Sequence, residues 1–509
     1  MIQHNLLTLK ACRTLAGRLR GLTAGQFETQ TRRLRMRFNP RWTTHAVWML
    51  VIAVLVVPGW AQDSDKEKEK AEEDKAAAAK KTADQEYFEL MQVFVDTFEQ
   101  VERNYVKDID RRKLMEAALR GMLKELDPYS SYIPPEELTR FNDRVQQEFG
   151  GIGIQVQPEP RTRRILVISP LPNTPAYTAG VRAGDIVMEV EGEDTEDMPL
   201  SRAVELMKGP AGETVKLKVR HMGESDDVSL DIERAVIQVS SVLGDKYGKD
   251  GQWDFMLDGD DHIGYIRLTQ FGRKSGEELA TTLEDLKKKG MKGLVLDLRF
   301  NPGGLLSQAV QISDMFIESG TIVSTEGKNS RARTWSATKS GTYSGFPMVI
   351  LVNRFSASAS EIVSACLQDH KRAFVVGERS WGKGSVQNII ELESGASALK
   401  LTTAGYKRPS GKNIHRFPDA KETDEWGVMP DEVARFSRKE LEDYDQYRRD
   451  RDILREGDES KIKFDDRQLA KALEHLRTQL AAEDKKPDAE NKPAEDKNAD
   501  AAVEKKKAA

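Results

Sequence analysis

The chain has 509 residues and a formal net charge of -5, from 78 lysines and arginines and 83 aspartates and glutamates. This length accommodates several domains with a sizeable core, and the acidic balance argues against a nucleic acid partner. The seven histidines are scattered, with no His-x-x-x-His or Cys-x-x-Cys spacing. A zinc enzyme is therefore not expected, and neither a metal nor a cofactor is predicted.

Residues 1–61 have the three parts of a secretory signal. Grouped arginines precede a short apolar run from Ala46 to Val57, and small residues at Gly59 and Ala61 suit cleavage after Ala61. The run is short for a membrane span, which needs roughly 20 apolar residues. We expect an exported, periplasmic or otherwise extracytoplasmic protein. An uncleaved signal anchor, which would tether the protein to a membrane through residues 46–57, is the alternative.

A charged linker and a helical region follow the signal. Residues 62–84 are rich in Lys, Glu, Asp and Ala and offer no apolar face, which is typical of a solvated tether or a frayed helix. Residues 85–146 are predicted to form an N-terminal helical region, because Tyr87, Met91 and Phe94 begin an apolar series at helical spacing.

The segment 147–235 begins with Gly151-Ile152-Gly153-Ile154, where glycines stand just ahead of an alternating strand. Such glycines leave backbone N–H groups free to bind a carboxylate. Ala183-Gly184-Asp185-Ile186 follows, then a short helix at 201–208 and strands at 215–219 and 228–232. In this order the elements resemble a PDZ domain. The resemblance implies that Gly151, Ile152, Gly153 and Ile154 bind the free C-terminus of a peptide, which adds to the domain as a strand.

The segment 236–435 alternates strands and helices. Strands at 264–268 and 293–299 flank a helix at 275–289, an order that predicts an α/β domain with a parallel component. The second strand runs into Asn301-Pro302-Gly303-Gly304 and then into a helix. Glycine amides beside a helix N-terminus can stabilise an oxyanion. The Gly-Lys-Ser/Thr ending of a phosphate loop is absent here.

A serine cluster and a lysine follow two further apolar strands of this segment. The strand 348–352 leads through Ser356-Ala357-Ser358-Ala359-Ser360 into a helix, and the strand 373–377 leads to Trp381-Gly382-Lys383-Gly384. A serine needs a base to become a nucleophile, and a lysine is that base only when it is neutral. Burial beside Trp381 would lower the pKa of Lys383 from about 10.4 towards the roughly 7–8 that a base requires.

Groups that can support this pair are also present. The amide of Ala359, at the start of the helix, suits an oxyanion donor. Gln387 can hydrogen-bond Lys383 without adding a charge, and so orient it while its pKa stays low. The residues alone do not choose which of the three serines in the turn is the nucleophile.

These motifs together resemble those of the carboxyl-terminal processing (tail-specific) serine proteases. The likeness covers roughly residues 85–435 and rests on Ser356-Ala357-Ser358-Ala359-Ser360-Glu361, on Gly382-Lys383-Gly384, and on Leu296-Asp297-Leu298-Arg299 with Pro302-Gly303-Gly304. The resemblance implies a crotonase-like core in which Ser358 is the nucleophile, Lys383 the general base and Gln387 the supporting residue. It also implies an oxyanion hole made of the Ala359 amide and the amide of Gly303 or Gly304.

Three positions differ from the family pattern or need an interpretation. Trp381 stands where the family usually has phenylalanine, and the segment Phe417 to Trp426 looks inserted. The resemblance to the family also offers an aspartate, at the position of Asp369 in this chain, as a candidate residue of the site. We interpret Asp369 as structural, since a carboxylate beside Lys383 would raise the pKa of the lysine.

The fold class predicted is α/β and multidomain, with a helical N-terminal region and a PDZ domain inserted before an α/β (crotonase-like) serine protease core at 236–435. A charged helical extension is predicted at 436–480, where Leu469, Leu473, Leu476 and Leu480 have helical spacing, and a disordered tail at 481–509.

The predicted function is a serine endopeptidase that recognises the free C-terminus of exported proteins and cleaves through a Ser/Lys acyl-enzyme. The expected partners are protein or peptide substrates with an apolar C-terminus, and homo-oligomerisation stays open. The alternative is a catalytically silent PDZ scaffold that binds protein C-termini.

Overall fold

The computed structural model describes residues 60–248, 250–259, 261–453 and 462–483. The predicted tether at 46–57 lies outside these ranges. Residues 1–59 of the predicted signal and residues 484–509 of the predicted tail also lie outside them. Along the described residues, no helix combines the length and the apolarity needed to cross a membrane. The chain divides after Ile109 into two compact units.

The first unit contributes helix α1 (Trp60–Asn104). This helix includes both the charged stretch 62–84 and the apolar series that begins at Tyr87. Ala, Lys and Glu, which fill the charged stretch, are strong helix formers. An ion pair between Glu99 and Arg103, at 3.2 Å, joins successive turns near the end of the helix.

The second unit begins with a helical region: α2 (Arg111–Lys124), strand β1 (Ser131–Ile133) and α3 (Pro135–Gln146). The Asp110 carboxylate caps α2 by accepting from the backbone N–H groups of Arg112 and Lys113. The turn after α2 is held by Asp127, whose carboxylate accepts from the backbone N–H groups of Tyr129 at 2.7 Å and Ser130 at 2.8 Å. An aspartate that bonds to the backbone in this way fixes a tight turn.

The next elements form the PDZ-like part. They are β2 (Glu148–Gly151), β3 (Ile154–Glu159), β4 (Arg164–Pro170), α4 (Pro175–Thr178), β5 (Ile186–Val190), β6 (Glu193–Asp194), α5 (Leu200–Met207), β7 (Thr214–Arg220), β8 (Asp227–Glu233) and β9 (Ala235–Gln238). The sheet order is β3-β4-β5-β7-β8, with β6 paired to β5, and β2 pairs separately with β9. Alternate residues of β7, such as Val215 and Leu217, are buried, as expected of a strand with one face on a core. Strand β3 is an edge strand.

The segment predicted as the protease core is the largest part of the second unit. Its elements are β10 (Val242–Leu243), β11 (Lys246–Tyr247), β12 (Trp253–Asp254), β13 (Ile263–Leu268), α6 (Ser275–Lys288), β14 (Gly293–Asp297), α7 (Leu306–Asp314), β15 (Thr321–Glu326), β16 (Arg333–Ser336), β17 (Met348–Val352), α8 (Ala359–Asp369), β18 (Phe374–Gly377), β19 (Ser385–Leu392), β20 (Ser397–Lys407) and β21 (Glu432–Val433). The main sheet has the order β10-β13-β14-β17-β18-β21 and is parallel from β13 to β21. The predicted parallel component is thus confirmed.

A second, antiparallel sheet of the core has the order β1-β20-β15-β16, and β19 pairs with β20. Strand β1 therefore brings the turn that begins at Asp127 next to β20. This sheet lies beside the catalytic candidates, because β19 begins two residues after Lys383.

Helices cover both faces of the main sheet. Residues of α6, α7 and α8, among them Leu279, Ile312 and Ile362, share one buried cluster. The chain ends, in its described part, with α9 (Arg438–Arg451) and α10 (Arg467–Glu483). Ala472 and Leu476 of α10 pack with strand residues in a second buried cluster. The charged extension therefore supplies a layer of packing against the main sheet.

Candidate active site

Ser358 occupies a strained turn between β17 and α8. It is the residue that precedes the first turn of α8, with φ 58° and ψ -113°, and it is 6% exposed. A positive φ at a residue other than glycine costs energy and persists only where the surroundings impose it. The other two serines of the turn have structural partners: Ser356 donates to the Leu298 carbonyl at 2.8 Å and Ser360 to the Asn301 carbonyl at 2.9 Å.

The Ser358 hydroxyl contacts the phenol of Tyr406 on β20. Burial raises the pKa of Tyr406 to about 12, and a hydrogen bond with the Ser358 side chain opposes that rise. Among the described contacts, no hydrogen bond joins the Ser358 hydroxyl to the Lys383 amine. Catalytic hydrogen bonds are often longer without a substrate than with one.

The glycine loop after β14 packs against Ser358. A Cβ atom on Gly303 would lie 2.6 Å from the Ala357 carbonyl oxygen and 2.8 Å from Ser358 Cβ, so only glycine fits there. The Gly303 N–H donates to Asn301 Oδ1 at 2.8 Å, and Asn301 Nδ2 donates to the Leu268 carbonyl at 2.6 Å. In the described part of the chain, the N–H groups of Gly304 and Ala359 have no hydrogen-bond acceptor.

Glu361 joins the serine turn to the lysine turn. Its Oε2 accepts from the backbone N–H groups of Ser358 at 2.7 Å and Lys383 at 2.8 Å. Its Oε1 accepts from Ser380 Oγ and from the Gly382 N–H, both at 2.6 Å. Burial raises the pKa of Glu361, and these four donors oppose the rise. Because both oxygens act only as acceptors, the carboxylate form fits this site.

Lys383 is half-buried, and its amine has no carboxylate within ion-pair distance among the described residues. Burial is the main cause that lowers the pKa of Lys383 to about 8, and the charge of Lys400 adds to it, while Glu361 and Asp127 oppose the shift. The amine lies 5.1 Å from the ring centroid of Tyr129. A partly neutral amine can accept a proton near neutral pH.

The glycine loop of the PDZ-like part lies at the start of the edge strand β3. The carbonyl of Ile152 accepts from the Ala176 N–H, and that of Gly153 accepts from the Leu171 N–H, both at 2.9 Å. Within the described residues, no acceptor is bonded to the N–H groups of Ile152 and Gly153. With Gly151 before it and Ile154 after it, this loop offers free backbone donors beside an open strand edge.

Comparisons with known proteins match two parts of this chain to families. The model of Peptidase family S41 matches residues 262–433, and the PDZ domain model matches residues 142–220. A carboxy-terminal-processing protease of Bartonella bacilliformis is 42% identical over 357 residues, which are 69% of this chain and 76% of that protein. The chain belongs to the carboxy-terminal-processing protease family. It is a serine protease with an internal PDZ domain, and its substrates are proteins or peptides.

Further relatives of this carboxy-terminal-processing protease extend the likeness to its N-terminal region. The model of the activating protease CtpB N-terminal domain matches residues 51–137. The carboxy-terminal processing protease CtpA of Bacillus subtilis is 36% identical over 63% of this chain and 65% of its own length. Among solved structures, the photosystem II D1 C-terminal processing protease is 28% identical, with 68% of this chain and 92% of that chain covered and a TM-score of 0.37.

Gln387 and Asp369 of the protease bond to partners other than Lys383 among the described residues. Gln387 donates to Ser385 Oγ at 2.8 Å and to Thr402 Oγ1 at 3.2 Å. Asp369 ends α8 and is held by Arg408 at 2.7 Å. Burial alone would raise the pKa of Asp369, but Arg408 and the Ser410 N–H hold it below its usual value. This ion pair supports the structural interpretation of Asp369.

Sequence reasoning missed two residues that surround the protease site. Glu361 entered the sequence reasoning only as the last residue of the serine motif, although a glutamate in the first helical turn that bonds back to the N-cap residue is a known capping signal. Tyr129 comes from the distant turn before β1, and its hydroxyl accepts from the Trp381 indole at 3.2 Å. No local pattern links Tyr129 to Lys383. Within the described residues, no group of three His, Cys, Asp or Glu side chains can hold a metal ion.

Proposed function

We propose that this protease cleaves proteins through a Ser358/Lys383 acyl-enzyme mechanism and selects them by their free C-terminus. The observation that carries the proposal is the shared carboxylate of Glu361, which binds the backbone N–H groups of both residues through one oxygen. The distance between the backbone nitrogens of Ser358 and Lys383 therefore cannot exceed the sum of these two hydrogen-bond lengths. Since Ser356 and Ser360 donate to backbone carbonyls, the turn leaves Ser358 as the reactive hydroxyl.

In the proposed reaction, neutral Lys383 takes the Ser358 proton while Ser358 Oγ attacks the scissile carbonyl carbon. The tetrahedral intermediate collapses when the Lys383 ammonium returns the proton to the leaving amine, and an ester to Ser358 remains. A water molecule, deprotonated by Lys383, then attacks the ester carbon. As the ester C–O bond breaks, the Lys383 ammonium returns this proton to Ser358 Oγ, which releases the second product as an acid and restores the free enzyme. The lowered pKa of Lys383, about 8, keeps a useful fraction of the amine neutral near pH 7.

The oxyanion of this intermediate is proposed to bind the amides of Ala359 and Gly304. The Ala359 amide is at the positive N-terminus of α8. Of the two glycines left open by the sequence, Gly303 uses its N–H on Asn301, which favours Gly304. Donors fixed in place before the reaction stabilise the developing charge without reorganisation.

Substrate selection is proposed to use the PDZ part, where a peptide adds to β3 and its terminal carboxylate meets the N–H groups of the loop Gly151–Ile154. An apolar C-terminus fits a site flanked by Ile152 and Ile154. The proposed substrates are exported proteins, because residues 1–61 have the pattern of a secretory signal, with a tether through 46–57 as the alternative.

The mechanism is tested with an unstructured substrate that ends in apolar residues. We expect Ser358→Ala and Lys383→Ala each to abolish cleavage, measured by mass spectrometry of the products. The exposed Ser344→Ala and Lys412→Ala serve as controls of matched residue type and should cleave like the wild type. Cleavage retained by either active-site variant would overturn the assignment.

A further inference from the structure

The C-terminal extension contacts the loop that carries the proposed oxyanion glycine. Helices α9 and α10 lie beyond residues 262–433, the part that the protease family model matches. Tyr444 of α9 is 4% exposed, and its ring stacks on Phe300 with centroids 5.6 Å apart and planes 10° apart. Phe300 immediately precedes the loop Asn301–Gly304. A side chain of the extension therefore touches the residue from which the loop departs.

Phe300 also connects this loop to the turn of the nucleophile. Its ring stacks on Phe355 with centroids 5.3 Å apart, and its N–H donates to Asn353 Oδ1 at 3.0 Å. Both partners belong to the turn that ends at Ser358. The backbone of Phe300 has φ 61°, a strained value for a phenylalanine, which persists only where neighbours impose it. Tyr444 and Phe355 are the aromatic neighbours that hold it.

The extension holds the preceding residue, Arg299, as well. The Arg299 side chain is buried and forms a bidentate pair with Asp466, at 3.1 and 2.9 Å, besides its pair with Asp297. Its guanidinium lies 4.6 Å from the Tyr444 ring centroid. Asp466 also accepts from the N–H groups of Gln468 and Leu469, at the start of α10. Asp466 thereby ties the beginning of α10 to the end of β14.

A cavity of about 160 Å³ lies beside these contacts, lined by residues that include Phe300, Arg299 and Tyr444. A smaller side chain at position 444 would enlarge this space, because the residues around it are fixed in strands and helices. Phe300 could then tilt into the space and relax its strained backbone. The glycine loop would move with it.

We propose that Tyr444 and Asp466 are positioning residues, through which the C-terminal extension fixes the Gly303–Gly304 loop against Ser358. The inference rests on the proposed Ser358/Lys383 mechanism and adds a part of the chain to it. Oxyanion donors act only within roughly 2.7–3.1 Å of the developing charge, and a displacement of about 1 Å can cost on the order of 100-fold in rate. The extension should therefore act on kcat.

The first test compares variants of the full chain on a quenched-fluorescence peptide with an apolar free C-terminus. For Tyr444→Ala we expect kcat to fall roughly 10- to 100-fold while KM stays unchanged. Tyr444→Phe keeps the ring and should keep the wild-type kcat. Tyr447→Ala is the matched control, since Tyr447 lies on the same helix and packs on Phe464 instead of Phe300; its kcat should stay at the wild-type value.

The second test separates positioning from general destabilisation. A peptide boronate that forms a tetrahedral adduct with Ser358 mimics the oxyanion, whereas the cleaved product peptide does not. We expect Tyr444→Ala and Asp466→Ala to lose boronate affinity by the same factor as kcat/KM, with unchanged product affinity. Asp466→Glu, which keeps the charge, should recover part of the loss.

Two outcomes would overturn the inference: a wild-type kcat in folded Tyr444→Ala, or equal losses of boronate and product affinity. If Tyr444→Ala does not fold, Tyr444→Leu, which keeps an apolar side chain without the stack, takes its place with the same expected loss. Ser358→Ala is measured in parallel. Activity of Ser358→Ala contradicts the mechanism itself, whereas an inactive Ser358→Ala beside a fully active Tyr444→Ala contradicts only the role of the extension.

Discussion

At the scale of single residues, the proposed mechanism depends on the charge state of Lys383. Burial favours the neutral amine, and the nearby charge of Lys400 adds to this effect. Glu361 and Asp127 favour the ammonium. Glu361 is nevertheless needed in the site as the acceptor for the N–H groups of Ser358 and Lys383. The backbone of Lys383 is thus held near a carboxylate, while its amine has no carboxylate within ion-pair distance among the described residues.

This balance predicts a pH profile. Below its pKa of about 8, Lys383 is protonated and has no acceptor for the serine proton, so kcat/KM should fall about tenfold per pH unit as the pH decreases. Above that pKa the rate should reach a plateau. Asp127→Asn removes a charge that raises the pKa of Lys383, so the rising limb should move to lower pH.

The measurement is kcat/KM from pH 5 to 10 on the quenched-fluorescence peptide. Asp250→Asn, an exposed change in a turn away from Lys383, is the control for the loss of one carboxylate and should leave the limb in place. If the pH at which kcat/KM rises is unchanged in Asp127→Asn, or if it lies near pH 5 in the wild type, the titrating group is not Lys383.

At the scale of helices and strands, burial decides what the sequence can predict. Strand β17 has the predicted bounds, Met348–Val352, and all five of its residues are buried. A strand buried on both faces is a continuous apolar run, which is easy to recognise. Strands β15, β16 and β19 were not predicted, because they are only partly buried and carry polar and apolar residues without a regular period.

The residues of the candidate site also differ in how well the sequence predicts them. Ser358 and Lys383 follow apolar strands and fall in recognisable motifs, so the sequence offers them as candidates. Tyr129 reaches the site across the antiparallel sheet, and its contact with Trp381 joins positions 252 residues apart. Helix α9 has only Tyr444 and Arg448 among its buried residues, too few to form an apolar stripe. Contacts of this kind depend on the whole fold and leave no local pattern.

Helix α10 yields a prediction of stability. Leu476 is fully buried against the main sheet, in a cluster with Val295 and Leu351. Leu476→Ala should lower the free energy of unfolding by roughly 2–5 kcal/mol, because it removes buried surface and leaves a cavity. Urea denaturation followed by circular dichroism measures the change.

Glu474→Ala, on the exposed side of the same helix, is the control and should leave stability within about 0.5 kcal/mol of the wild type. Equal stability of Leu476→Ala and the wild type would mean that α10 does not form a layer of the core in solution.

At the scale of the whole molecule, the PDZ part and the protease core are joined by a hydrogen-bonded connection at Gln147. Its backbone carbonyl accepts from the Val239 N–H at 2.9 Å, and its side-chain oxygen accepts from the Lys274 N–H at 2.9 Å. An ion pair between Glu148 and Lys274, at 3.2 Å, lies beside it. The strand pair β2–β9, which begins and ends the PDZ part, is thereby fixed to the start of α6.

This arrangement predicts that the protease responds to the chemistry of a substrate end that it does not cut. Amidation of the substrate C-terminus removes the charge and places an NH₂ donor against the N–H groups of Ile152 and Gly153. Hydrogen bonds to a charged group contribute roughly 1.5–3 kcal/mol, and about 1.4 kcal/mol corresponds to a factor of ten. We therefore expect kcat/KM to fall roughly 10- to 100-fold for the amidated peptide. The matched control is the free-acid peptide with an internal Glu→Gln change, which loses one charge elsewhere and should be cleaved at the original rate. If free-acid and amidated peptides are cleaved equally well, the glycine loop does not bind the C-terminal carboxylate, and the PDZ part must bind substrates in another way.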